Sequence, residues 1–241
     1  MKKAHLNDFL KKPSRVIVAI DRKITDEIVK IISSVSDIII GVKIGLITFL
    51  ENNPSEIKHF ISTLKEKNLY ALADLKLADI SHVMIKICEK LHTIGFDGII
   101  AHAFVGRKGA LEQLVKVVRK YSLDIFLVIA MSHPGAEEIL NTNFEKMLSL
   151  TKTLHATGAI VPATMPYYIS KAREYLGKQF YLLSPGIGAQ GAAPGSALKH
   201  GADAEIVGRA ILNSPNPIET TRKIAKIHMC VLNERKKETH T

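Results

Sequence analysis

Two carboxylates and an ammonium fall within the stretch DLKLADI, Asp74 to Ile80, directly after the apolar run LYALA. A strand that runs into a protein interior rarely ends in Asp, Lys and Asp, so these charges call for a chemical reason. Successive strand side chains alternate faces, which is expected to put Asp74 and Lys76 on one side. A second ammonium, Lys43, ends the run GVKIG. Paired with Asp74 it would offset the cost of taking both charges out of water. Asp79 stands before a helical pattern. One reading makes it an N-cap, whose oxygens accept from free helix amides; the other adds it to the charge network, in a neighbouring subunit's site.

These residues need a scaffold that brings distant segments to one place. A short apolar run followed by an amphipathic stretch recurs eight times, as RVIVAI, IIIGVKI, LYALADL, GIIAHA, IFLVIAM, GAIVPA, FYLLSP and AEIVG. Continuous apolar strands alternating with helices indicate a parallel sheet buried on both faces. Eight such units in 241 residues match an α/β fold of the (β/α)8 TIM-barrel type, which takes about 250 residues. Residues 1–232 are expected to form this one catalytic domain, with 233–241 a charged, flexible tail.

In such a barrel the catalytic groups lie at the C-terminal ends of the strands. Read in order, those ends supply Asp21, Lys43, Asp74 with Lys76, His102, Ser132, Thr164, the loop SPGIGAQG, and Gly208 with Arg209. The strand starts show no comparable concentration of polar groups. The stretch Pro185 to Gly195 holds four glycines and Gln190, and VGRAIL places Gly208 and Arg209 at a helix start. Loops after strands seven and eight, with a helix N-terminus and a guanidinium, suit a phosphate dianion.

Composition narrows the function classes. The net charge of +10 is spread over many segments and aromatic residues make up 6%. Small phosphorylated anions are therefore expected as partners, and nucleic acid is not. No apolar run approaches the roughly 20 residues that span a bilayer, so no membrane association is expected. The start MKKAHLNDFLKKPS lacks the apolar core of a secretory signal, which implies a cytoplasmic location. Cys88 and Cys230 show no metal-ligand spacing and read as ordinary thiols.

The motifs AID, VKIG, DLKLADI, MSHPGA, SPGIGAQG and VGR, in this order along nearly the whole chain, resemble the orotidine 5′-phosphate decarboxylase family. The D-x-K-x-x-D pattern is also that of magnesium-dependent sugar-phosphate decarboxylases and aldolases, which stay as the alternative. Those relatives carry an acid where Lys43 stands and lack MSHPGA, so the resemblance favours the decarboxylase that uses no cofactor and no metal. It implies a nucleotide substrate and casts Lys76 as the proton donor to C6 of the pyrimidine. Asp74 then lies beside the substrate carboxylate, with Lys43 and Asp79 completing an alternating network. Asp21 and Lys43 resemble ligands of the ribose hydroxyls, and Ser132 the reader of the pyrimidine amide edge. Pro185, Gln190, Gly208 and Arg209 fall at the phosphate end. The resemblance further implies a homodimer in which Asp79 and Ile80 enter the partner's site. Where many relatives have a threonine that reaches the ribose across the dimer, this chain has Val83, which cannot donate a hydrogen bond. His102 and His133 read as structural, because Lys76 already supplies the one proton that the reaction needs.

Overall fold

In the computed structural model, which describes residues 5–238, eight parallel strands close into a barrel in sequence order, β8 pairing with β1. The strands are β1 (Val16–Ile20), β2 (Gly41–Gly45), β3 (Tyr70–Leu77), β4 (Gly98–His102), β5 (Asp124–Val128), β6 (Gly158–Ile160), β7 (Tyr181–Pro185) and β8 (Ala204–Val207). Each falls within, or overlaps, one of the eight apolar runs. The helices are α1 (Leu6–Phe9), α2 (Asp26–Ser34), α3 (Leu46–Glu51), α4 (Pro54–Glu66), α5 (Ser81–Ile94), α6 (Glu112–Lys120), α7 (Phe144–Thr153), α8 (Pro166–Leu176), α9 (Ser196–Lys199), α10 (Arg209–Leu212) and α11 (Pro217–Glu238). None is long and apolar enough to cross a membrane.

The strands are mainly apolar because both faces are covered. On β1, Ile17 and Ala19 point into the barrel with Leu72, Ile100, Phe126 and Ile206, while Val16, Val18 and Ile20 pack outward against the helices. The inner cluster is sealed from below by α1, a role not read from the sequence. Leu6 and Phe9 sit under the barrel, Phe9 edge-on to Tyr70 with ring centroids 5.4 Å apart. Asp124 fixes this plug, accepting from the Leu6 amide at 2.9 Å and from the Tyr70 hydroxyl at 2.8 Å.

A second buried acid ties the other end of the chain to the barrel. Glu205 on β8, wholly buried, accepts from His228 Nε2 of α11 at 2.7 Å and from the amides of Gly195 and Ala197 at 2.9 and 3.0 Å. His228 Nδ1 in turn accepts from the Arg15 amide at 3.3 Å. Replacing Glu205 by alanine leaves these donors buried without an acceptor. We expect it to cost about 3–5 kcal/mol and to lower Tm by about 10 °C, read by thermal unfolding. Helix α11 continues to Glu238, so residues 233–238 are helical rather than the flexible tail expected, with Arg235 donating to the Ala202 carbonyl at 3.0 Å. The rest of that tail, 239–241, lies outside the described residues.

Candidate active site

A cavity of about 430 Å³ opens at the C-terminal mouth of the barrel. Nine of the eleven predicted site residues line it: Asp21, Lys43, Asp74, Lys76, Ser132, Pro185, Gln190, Gly208 and Arg209. The volume suits a small ligand. Its floor, which sequence reading did not assign, is apolar: Ile100, Val128, Ile160 and Ile206 rise from the barrel interior. The signal lay in the inward alternation of each strand.

Four charges alternate along one wall. Lys43 Nζ lies 3.0 Å from Asp21 Oδ1 and 3.0 Å from Asp74 Oδ2. Lys76 Nζ donates to both Asp74 oxygens at 2.9 Å. Lys43 and Asp74 are buried, with side chains 7% and 6% exposed, whereas Lys76 is 42% exposed and reaches the cavity. Burial alone would push the Lys43 pKa down, but the carboxylates of Asp74 and Asp21 more than offset it and hold it above the ordinary lysine value. Burial likewise would raise Asp74, and the ammoniums of Lys43 and Lys76 hold it below the usual carboxylate range. The buried pair is thus fixed in its ionised form, and Lys76 is the member free to meet a ligand.

The backbone that presents Lys76 is not the regular strand expected. Ala73 pairs with Ile99 and Leu77 with Ala101, so β3 carries a bulge opposite β4. Within it Lys76 adopts φ +44°, in the left-handed region that a side chain enters at a cost. Asp74 and Lys76 do share a side, but through this bulge rather than through simple alternation. Strain of this kind persists where the surroundings impose it. Gly45, paired with Asp74 across β2 and β3, is a further requirement not foreseen. A Cβ there would fall 1.7 Å from Asp21 Oδ1 and 3.2 Å from Lys43 Nζ, forcing the Asp21 carboxylate aside.

At the other end of the cavity, the Ser132 hydroxyl donates to Gln190 Oε1 at 3.2 Å, so the loop after β7 already touches the loop after β5. All four glycines of Pro185–Gly195 have positive φ, which explains their presence in the sequence. Arg209 is exposed and has no ion pair or side-chain hydrogen bond among the described residues. Helix α10 behind it is a single turn of 4 residues, so the helix dipole expected at this position is small and the guanidinium carries the anion affinity.

Three residues singled out in the sequence, Asp79, Ile80 and Val83, lie away from this cavity. Asp79 and Ile80 are exposed and do not line the cavity of their own chain. Asp79 accepts from the Ile80 amide at 2.7 Å, but the N-cap position of α5 is Ile80, without a side-chain cap bond, so the N-cap reading of Asp79 fails. Val83 lies in the first turn of α5, also away from the cavity. Among the described residues no group of three or more His, Cys, Asp or Glu is placed to hold a metal.

The family model described as "Orotidine 5'-phosphate decarboxylase / HUMPS family" matches residues 14–224. The chain belongs to this family. The orotidine 5′-phosphate decarboxylase of Methanococcoides burtonii is 34% identical over 221 residues, covering 92% of this chain and all of that one. Among solved structures, the orotidine 5′-monophosphate decarboxylase of Sulfolobus solfataricus superposes with a TM-score of 0.81 at 30% identity, covering 91% of this chain and 99% of that one. The Methanocaldococcus jannaschii enzyme complexed with the inhibitor BMP gives the same TM-score and identity, over 89% of this chain and 98% of that one. The barrel expected from the sequence and the likeness of its motifs to the decarboxylase family are both borne out.

His102, at the end of β4, is buried beside the charged wall, and its Nδ1 has no hydrogen-bond partner among the described residues. Burial first, and then the Lys76 charge, hold its pKa at about 4, with Asp74 opposing. An unfolded chain takes up this proton near pH 6.5, whereas the folded one refuses it until about 4. Stability from this residue is therefore complete above pH 6.5 and is lost as pH falls toward 4, by about 3 kcal/mol in all. Asp74, whose pKa is lowered, loses its contribution only below about pH 4, and Lys43, whose pKa is raised, only above about pH 10. Urea unfolding between pH 7 and 4.5 is expected to show a fall that His102→Asn flattens.

Proposed function

We propose that the protein decarboxylates orotidine 5′-phosphate to uridine 5′-phosphate and carbon dioxide, the last step of UMP synthesis, without a metal or other cofactor. One observation carries the reading: a lysine ammonium anchored on both oxygens of a buried carboxylate, with its free side at an apolar-floored cavity. Loss of carbon dioxide from C6 leaves an electron pair that the ring cannot delocalise. The site must supply stabilisation of order 20 kcal/mol, the upper range for enzymes. The Lys76 ammonium pairs with charge that appears only as the C–C bond breaks, then gives its proton to C6. Asp74 holds Lys76 at that point, and its own charge is shared between two ammoniums. Its repulsion of the substrate carboxylate ends when neutral carbon dioxide leaves.

The other residues take places that fit a nucleotide. Asp21 and Lys43 face the ribose hydroxyls, Ser132 the amide edge of the base, and the apolar floor excludes water beneath the ring. Pro185, Gln190, Gly208 and Arg209 surround the phosphate, whose binding energy can draw the loop after β7 closed over the site. Lys43 favours this chemistry over that of the magnesium-dependent relatives, because its ammonium occupies the space between Asp21 and Asp74 where a divalent cation would have to compete.

The active unit is a homodimer in which Asp79 and Ile80 complete the partner's site. Support comes from exposed apolar side chains following three consecutive strands: Leu46, Ile47 and Leu50 after β2, Ile80 after β3, and Phe104 after β4. Ile80 and Leu50 are 62% and 78% exposed, a cost that burial against a second copy removes. A chain with only two cysteines suits a reducing, cytoplasmic setting. The reading is tested by turnover of orotidine 5′-phosphate in deuterated water. The expected product is uridine 5′-phosphate with one deuterium at C6; absence of that product contradicts it.

A further inference from the structure

A cleft of about 1070 Å³ opens at the end of the barrel opposite the active site. Its walls come from segments that precede strands: Arg15 before β1, Lys178 before β7 and Asp203 before β8, together with the C-terminal part of α11. Eight of the chain's 33 Lys and Arg line it, against one carboxylate, Asp203, among the described lining residues. That carboxylate is already engaged, accepting from Arg173 Nη2 at 2.5 Å and from the Leu182 amide at 2.7 Å.

Some of these cations brace the fold and others stand clear of it. Arg173 also donates to the carbonyls of Gly177, Phe180 and Gly201, and Arg15 to those of Lys12 and Ser14, so these two brace the loops. Lys11, Lys178 and Lys199 are exposed and make no ion pair or side-chain hydrogen bond among the described residues. Burial holds Arg15 below the ordinary arginine range, against the attraction of Asp203 and with a smaller contribution from Arg235. With eight cations and one carboxylate among the described lining residues, the cleft carries more positive charge than its own lining neutralises. A bound polyanion offsets that excess.

We propose that this cleft is a second anion site, taking a compact polyphosphate such as a nucleoside triphosphate. Lys11, Lys178 and Lys199 meet the phosphates, and Leu10, Met229 and Leu232 offer an apolar wall on the same cleft. Its volume and concavity suit a nucleotide-sized ligand. The described lining residues include no Phe, Tyr or Trp on which the successive bases of a strand would stack, which sets the cleft apart from a nucleic-acid groove. The inference stands on charge and shape at this end of the barrel and does not depend on the decarboxylase chemistry.

The test is calorimetric titration of the full chain with inorganic tripolyphosphate and with ATP at low ionic strength. Both are expected to bind at one equivalent per chain and to weaken as salt is raised. The double variant Lys178→Glu with Lys199→Glu is expected to lower both affinities about tenfold or more, at an unchanged melting temperature because both residues are exposed. Arg209→Ala, at the opposite mouth, leaves them unaltered. Binding that is lost in Arg209→Ala and kept in the double variant belongs to the active site and overturns the proposal. So does absence of binding at millimolar ligand, or a single-stranded oligonucleotide that binds more tightly than ATP.

Discussion

Alanine at Lys76 is expected to lower kcat by about 10⁵-fold with little effect on folding. The magnitude combines two losses. Removing a positioned proton donor costs about 10²–10⁴, and removing a preorganised charge that faces the developing carbanion costs about 10²–10³. Stability should change little. Lys76 holds φ +44° on the β3 bulge, a strain that offsets what its two hydrogen bonds to the buried Asp74 contribute. Glycine, which adopts this conformation without strain, is expected to leave stability within about 1 kcal/mol while abolishing turnover. Steady-state kinetics and urea unfolding of Lys76→Ala and Lys76→Gly separate the two effects. A glycine variant that is markedly less stable would place Lys76 in the architecture rather than in the chemistry.

Mixing two inactive variants is expected to restore activity. Asp79 lies outside the cavity of its own chain, and the proposed dimer carries it into the partner's site. Lys76→Ala and Asp79→Ala homodimers would each have two defective sites. A heterodimer has one site with both defects and one with neither. Random exchange at equal amounts makes half of the dimers heterodimers, so about a quarter of the wild-type activity per chain should return, from a starting level near zero. The measurement is turnover after the two variants are mixed and allowed to exchange subunits. Activity that stays at the level of the separate variants, with exchange verified by mass, would place Asp79 in its own chain's site or outside the chemistry.

The barrel was legible because each strand is covered on both faces and so reads as a mainly apolar run; RVIVAI and IFLVIAM need no context to be recognised. The site followed from the same topology. Once strand ends converge at one mouth, Asp21, Lys43, Asp74, Ser132 and Arg209 become neighbours despite their separation in sequence. What stayed hidden depends on local backbone geometry or on partners far along the chain. Alternation predicted the shared side of Asp74 and Lys76, yet the bulge that achieves it leaves no sequence signal, since Lys at positive φ is not a propensity choice. Gly45 looked like any strand-end glycine until the Asp21 carboxylate was found where its Cβ would be. The plug formed by Leu6 and Phe9 depends on Asp124, more than a hundred residues away. Residues 233–238 lack an apolar stripe and read as a tail, but Glu, Arg and Lys are good helix formers and continue α11.

The most direct measurement is the loss of orotidine 5′-phosphate absorbance with protein stripped by EDTA. The account predicts that turnover survives EDTA undiminished and that added magnesium changes nothing, because the Lys43 and Lys76 ammoniums supply the positive charge a metal would bring. Turnover that disappears with EDTA and returns with magnesium, or that appears only with a sugar phosphate, would keep the barrel and its anion-binding mouth but contradict the metal-free decarboxylation.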